Sequence, residues 1–229
     1  ARVSYYIPER QSEGYGLNLE ALEHIISDGA SLVITVDCGI SSYDIVEAVC
    51  DRIDIIITDH HTAPPQIPPA RAVINHKQPD CPYTDKNLSG VGVAFKLCQA
   101  LWLRQCGEWY LDDLDIVALG TVADVVPLVG ENRIIVQAGL KKMNELPNLG
   151  IDKLIDVAGL HDKTITAGHI GFTLAPRLNA AGRVTHATRA VELLVTDDVD
   201  LAETIAQELQ ETNMERQEIE RSIHEEARA

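Results

Sequence analysis

Two short runs, Ser31 to Val36 (SLVITV) and Ile53 to Thr58 (IDIIIT), are apolar at nearly every position, and an acid follows each at or just past its end. A strand wetted on one face alternates apolar with polar residues, so an unbroken run signals a strand covered on both faces. A helix-periodic stretch from about Ser42 to Asp51 separates the two runs. Before them, Leu17 to Gly29 places Leu19, Leu22 and Ile25/Ile26 at helical spacing, with Asn18 as N-cap and Gly29 as stop. Helix, strand, helix, strand in that order predicts an α/β fold, a parallel sheet flanked by helices. AVIN (Ala72 to Asn75), after the turn APPQIPPA, supplies a third strand, and VSYYIPER reads as the end of a strand already under way.

From Gly90 onward the pattern turns helical. GVGVAFKLCQALWLRQC, LDDLDIVALGTVADVV, ENRIIVQAGLKKMNEL and NLGIDKLIDVAGL each read as helices, punctuated by Pro127, Pro147 and glycines. About Val199 to Arg228 is one long polar helix with a narrow stripe at Leu201, Ile205, Leu209, Ile219 and Ile223, the signature of a connector. Its pairs Arg216/Glu220 and Arg221/Glu225 each add ~0.3 kcal/mol. The expected division is an α/β part at residues 1–88, a helical part at 89–198 and a connecting helix at 199–229.

At 229 residues and 45% hydrophobic, the chain can bury a sizeable core. Its longest apolar run, Ile116 to Val129, is broken by Gly120, Asp124 and Pro127, so no membrane span or membrane partner is expected. Five scattered cysteines without a Cys-x-x-Cys pair suggest neither a disulfide framework nor a zinc ribbon, and a reducing cytoplasm fits. The formal net charge of −16 excludes gripping nucleic acid by bulk electrostatics. Nucleic-acid chemistry then requires carboxylates that hold divalent cations and arginines concentrated locally.

Ligand sites in open parallel sheets lie beyond the carboxyl ends of the strands. Asp37 and Asp59-His60-His61 both stand there, 22 residues apart, one strand-helix-strand step. Singly, Asp37 reads as a capping aspartate and the triplet equally as a polar loop or a metal site; together they read better as a metal site. Asp124 sits in an otherwise apolar helical run, where an unpaired carboxylate would cost several kcal/mol. It needs a cation or a hydrogen-bond network. Asp112, Asp113 and Asp115 crowd a helix start and read as surface charges that suit the helix dipole. Asp37, His60 and Asp124 make an oxygen and nitrogen ligand set suited to manganese or magnesium more than to structural zinc. Gly90 and Gly92 could present amides to phosphate or simply allow tight packing. His76, His161 and His169 read as surface or internally satisfied histidines, and Trp102, Trp109 and Tyr110 as packing residues.

VDCGIS, TDHH, SGVGVAFKL, ALGTVADVVPL and GFTLAPRLNAAGR, in this order, together with YYIPER, closely resemble the RecJ branch of the DHH phosphoesterase superfamily. The resemblance implies a 5′-to-3′ exonuclease on single-stranded DNA in DNA repair and recombination, with a helicase or single-strand-binding protein as partner. It implies two metal ions, Mn2+ or Mg2+, and in-line attack of an activated water. Carried over by position, Asp37 resembles the carboxylate bridging the metals, His60 a ligand, and Asp124 the ligand from the later helix. His61 resembles the group beside the scissile phosphate and Asp59 an orienting neighbour; these residues, without Asp59, form the catalytic set Asp37, His60, His61 and Asp124. Arg10, Arg177 and Asn179 resemble phosphate and strand contacts, with Arg183 and His186 weaker candidates.

The sequence departs from the family pattern in two places: the Asp-x-Asp-x-Asp-Gly motif and the glycine- and histidine-rich substrate domain are missing. The expectation is therefore a core fragment holding at most part of a two-metal site, with its activity alone left open. Two other readings stay open, a small-nucleotide or oligonucleotide phosphoesterase of the same superfamily and a non-catalytic RecJ-like scaffold subunit.

Overall fold

In the computed structural model the described residues are 2–8, 14, 16–184 and 187–228, with residues 181–184 described by backbone alone. The α/β part opens with helix α1 (Leu19–Ser27), where Asn18 Oδ1 accepts the Ala21 amide at 2.7 Å and Gly29 ends the turn at φ 83°. Strand β1 (Leu32–Val36), the short helix α2 (Tyr43–Glu47), β2 (Asp54–Thr58) and β3 (Ala72–Ile74) follow. The strands form one parallel sheet in the order β1-β2-β3, with Val36 paired to Thr58 and Thr58 to Ile74. All three therefore end at one level, and the residues that follow them share an edge.

The sheet buries Ile55 and Ile57 against Leu22, Val46, Val49 and Ile53. At β1 the expectation of two covered faces fails. Thr35 is buried, but Leu32, Ile34 and Val36, alternate residues on the opposite face, are exposed. The strand propensity of the run is real, while its second apolar face has no cover among the described residues. Residues 2–8, expected to end a strand, form no strand.

The remainder is helical: α3 (Gly90–Cys106), α4 (Leu114–Ala123), α5 (Gly130–Glu145), α6 (Leu149–Val157), α7 (Ala167–His169), a π-helical turn (Ile170–Leu174), α8 (Ala175–Val184), α9 (Thr188–Val195) and α10 (Val199–Glu226). Their core gathers Leu119, Met143, Leu154, Ile170, Leu174, Leu193 and the first half of α10, including Ile205 and Leu209. Beyond that half, Ile219 and Ile223 are exposed, and Arg216 pairs with Glu220 at 2.7 Å.

Asp115 corrects a reading from sequence. It is fully buried, not a surface charge, and its carboxylate accepts from Lys142 Nζ at 2.9 Å and from the Asn148 amide at 2.6 Å. These contacts tie α4 to α5 and to the start of α6. Removing one partner of a buried pair strands the other, so Asp115→Ala is expected to cost about 3 kcal/mol. Urea denaturation should show the midpoint fall at an unchanged slope.

Candidate metal centre

The sheet edge delivers the first residues. Asp37 continues β1, its amide donating to the Thr58 carbonyl at 2.9 Å, and then leaves the strand at φ 63°. Aspartate is among the few non-glycine residues that tolerate this left-handed region. Past β2, Asp59 is only 1% exposed, and its carboxylate turns inward. Oδ2 accepts the Ile40 amide at 2.9 Å, and Oδ1 accepts the His60 amide at 2.7 Å, the His61 amide at 3.0 Å and His61 Nδ1–H at 2.7 Å. Burial pushes this carboxyl up, but the four donors together outweigh it and hold it below the usual carboxylate range.

His60 is buried, and its ring orientation is set from below. Nδ1 lies 3.2 Å from the Leu88 carbonyl, an acceptor only, so Nδ1 carries the proton and donates. In the neutral ring Nε2 then offers a lone pair, yet it faces Asp37 Oδ1 at 3.1 Å and Asp124 Oδ2 at 3.5 Å. Three electron-rich atoms at such distances require a proton or a cation between them. Accordingly Asp37 foremost, against burial and with the charge of Asp124 adding, holds the His60 imidazole above its ordinary range. His61 stands edge-on to His60, ring centroids 4.6 Å apart, with most of its side chain exposed. The ligand atoms of Asp37, His60 and His61 lie within 4.8 Å of one another. The donor set of carboxylate oxygens and imidazole nitrogens fits a hard or borderline divalent cation.

Asp124 arrives differently from the sequence expectation. It does not lie inside a helix but ends α4, with its side chain 31% exposed. A carboxylate at a helix C-terminus faces the negative end of the dipole, which again favours a cation beside it. Val125 follows at φ 59°, a strained conformation for a β-branched residue. Val125 is also almost wholly exposed, so nothing packs its side chain into this shape.

Helix α3 closes the fourth side. Ser89 caps it, accepting the Gly92 amide at 3.1 Å and bonding Thr121 Oγ1 at 2.9 Å. A Cβ on Gly90 would fall 2.2 Å from Asp37 Oδ1, so only glycine leaves room for that carboxylate. The close-packing reading of Gly90 has a specific cause that sequence reasoning missed. Cys38, beside the site, is raised to about 11 by burial and by the charges of Asp59 and Asp37, and stays a thiol at neutral pH.

The other candidates disperse. Arg177, half-buried in α8, donates Nε to Gln210 Oε1 at 2.7 Å and Nη1 to the Thr173 carbonyl at 2.5 Å, and meets no carboxylate among the described residues. Asn179 is exposed and lines a separate cavity of about 270 Å³ with Ile7, Leu178 and Ala187. Arg10 and His186 lie outside the described residues, as does the side chain of Arg183. His76, read as satisfied, is buried with neither ring nitrogen hydrogen-bonded among the described residues, and burial lowers its pKa. Trp109 is largely exposed and outside any helix. Gly90→Ala should displace Asp37 and weaken Mn2+ binding at least about tenfold, with circular dichroism unchanged. Calorimetric titration with Mn2+ checks this, and unaltered affinity would contradict the close approach.

The DHH family, N-terminal domain, matches residues 1–121. The single-stranded-DNA-specific exonuclease RecJ of Bacillus subtilis is 44% identical over 228 residues, covering 99% of this chain; the chain spans only 28% of that relative. A crystal structure of exonuclease RecJ bound to manganese superposes with a TM-score of 0.86 at 35% identity, covering 95% of this chain and 55% of its own. RecJ from Thermus thermophilus in complex with Mn2+ gives 0.79 at 34% identity, covering 90% and 31%. With half the chain matched by the family model and nearly all of it aligned to RecJ proteins, the chain belongs to the DHH family, and its similarity within that family runs to RecJ.

Proposed function

We propose that this chain is the metal-binding core of a single-strand-specific DNA exonuclease acting 5′ to 3′ in repair and recombination. The observation that carries the reading is His60, whose Leu88-fixed tautomer aims a lone pair between Asp37 and Asp124. The two similar RecJ structures contain manganese, and a third, also from Thermus thermophilus, contains Mg2+. In this proposal Asp37, His60 and Asp124 would hold Mn2+ or Mg2+, with Asp37 shared in a site for two ions. A bound pair would lower the pKa of the attacking water and screen the phosphodiester charge.

The chain's own residues supply the rest. Asp59 holds the His61 ring through Nδ1–H, and in this proposal Nε2 serves the scissile phosphate, donating to its oxygen in the imidazolium form. Gly90 gives Asp37 its room, and the Leu88 carbonyl stops His60 from turning. Arg177 is a phosphate contact in this proposal, supported by its lack of a carboxylate partner among the described residues. Most other basic side chains with described partners are spent on acids: Arg52 on Glu23, Lys96 on Glu131, Lys153 on Glu203, Arg189 on Glu192 and Glu208. A guanidinium bonded only to neutral oxygens keeps its charge for an anion. Arg10 and Asn179 complete the proposed strand contacts, and a helicase or single-strand-binding protein is the proposed partner.

The net charge of −16 favours a second reading, hydrolysis of short oligonucleotides or dinucleotides. One assay separates the two. The full-length natural polypeptide carrying this sequence, given Mn2+, should release mononucleotides from 5′-labelled single strands and leave duplex DNA intact. Cleavage of dinucleotides alone would sink the first reading. Asp37→Ala should lower the rate at least about a hundredfold, as should chelation by EDTA; normal turnover by the variant would refute Asp37 as a ligand.

A further inference from the structure

The turn that carries Asp124 includes Val125 at φ 59° with an exposed side chain, so its shape has to be held from elsewhere. The holding group lies on α5, a helix that contributes no candidate ligand. Asn132, in its first turn, is fully buried. Its Nδ2 donates to the Pro127 carbonyl at 3.0 Å, three residues past Asp124, and to the Asn87 carbonyl at 2.6 Å, one residue before Leu88. Both partners are carbonyls, which only accept, so it is the amide nitrogen that faces them.

Two separate loops thus meet on one nitrogen. The first supplies the Leu88 carbonyl that fixes the His60 ring, and the second follows directly from Asp124. Asp85 reinforces the first, its Oδ2 accepting the Glu131 amide at 2.8 Å and its Oδ1 the Asn87 amide at 2.9 Å. The bond between Ser89 and Thr121 joins α3 to α4 within the helices, whereas Asn132 joins the loops outside them. Such a clamp needs two donors on one atom. Asparagine has them, serine offers one and aspartate none. The arrangement carries a cost, because Asn132 Oδ1 is buried without a hydrogen-bond partner among the described residues. The two donated bonds offset it.

We infer that Asn132 is a positioning residue for the candidate metal centre, clamping the loop that orients His60 to the loop that follows Asp124 so that the two ligands keep one separation. It acts through those ligands and not on the ion. The inference rests on the metal-centre reading and deepens it. Loss of a group that orients ligands commonly weakens metal binding about ten- to a hundredfold.

The test uses the full-length natural polypeptide, comparing wild type, Asn132→Ala, Asn132→Ser and Asp115→Ala. The last removes a buried polar side chain at the opposite end of α4 from Asp124 and controls for lost stability alone. Calorimetric titration with Mn2+ is run at a temperature where circular dichroism shows each variant folded. Affinity should fall at least about tenfold in Asn132→Ala, less in Asn132→Ser with its single donor, and not at all in Asp115→Ala. In the metal-free proteins, hydrogen–deuterium exchange should rise over residues 84–88 and 124–128 together in Asn132→Ala, and over neither in Asp115→Ala. Should Asn132→Ala not fold, Asn132→Ser carries both measurements. Unchanged Mn2+ affinity in a folded Asn132 variant would overturn the inference, as would an equal loss in Asp115→Ala, or faster exchange in one loop only or in neither. A wild type that binds no Mn2+, with both loops released in Asn132→Ala, defeats the metal-centre reading and keeps the clamp.

Discussion

One buried carboxylate holds the strand ends together. Asp59 accepts the Ile40 amide from the turn after β1, and the His60 and His61 amides and the His61 ring from the turn after β2. Parallel strands share no turn, so beyond the strand-end contacts of Asp37 and Thr58 it is this carboxylate that ties the two loops to each other. With four donors on two oxygens, the Asp59 carboxylate is saturated and faces away from the open side. It converts two independent loops into one rigid rim, from which Asp37, His60 and His61 project.

What was legible in the sequence follows from that same edge. Unbroken apolar runs predicted parallel strands, and parallel strands of equal length end side by side, so residues 37 and 59 had to be neighbours. The contribution of α3 was not legible. The Leu88 carbonyl that orients His60 is a backbone atom, and Gly90 acts by what it lacks, so neither leaves a chemical signature in its residue type. Asp115 shows the same limit: LDDLD is an ordinary helix start, and the atoms that bury its last acid come from Lys142 and Asn148. The π-helical turn escaped because its extra residue breaks the period on which helix reading depends.

The electrostatics divide along similar lines. Positive charge is scarce and part of it is spent in surface ion pairs, so the field over the candidate centre is set by a few groups at close range. His60, between two carboxylates, and Arg177, bonded only to neutral oxygens, are complementary cases. The first is an arrangement of negative groups in want of a cation, the second a cation in want of an anion. Under the proposed function a metal ion would meet the first and a phosphate of the strand the second.

The bare face of β1 bears on how the chain behaves in a concentrated solution. Leu32, Ile34 and Val36 form an apolar stripe on an edge strand whose outer backbone groups have no partner strand among the described residues, a geometry prone to pairing with a second copy. Mutual repulsion between chains of net charge −16 opposes that pairing. Repulsion is long-ranged and fades with added salt, whereas the adhesion of the stripe is short-ranged and does not. Colloidal stability of this chain is therefore an ionic-strength-dependent balance, with dilute buffers keeping it dispersed and salty ones bringing the edges into contact.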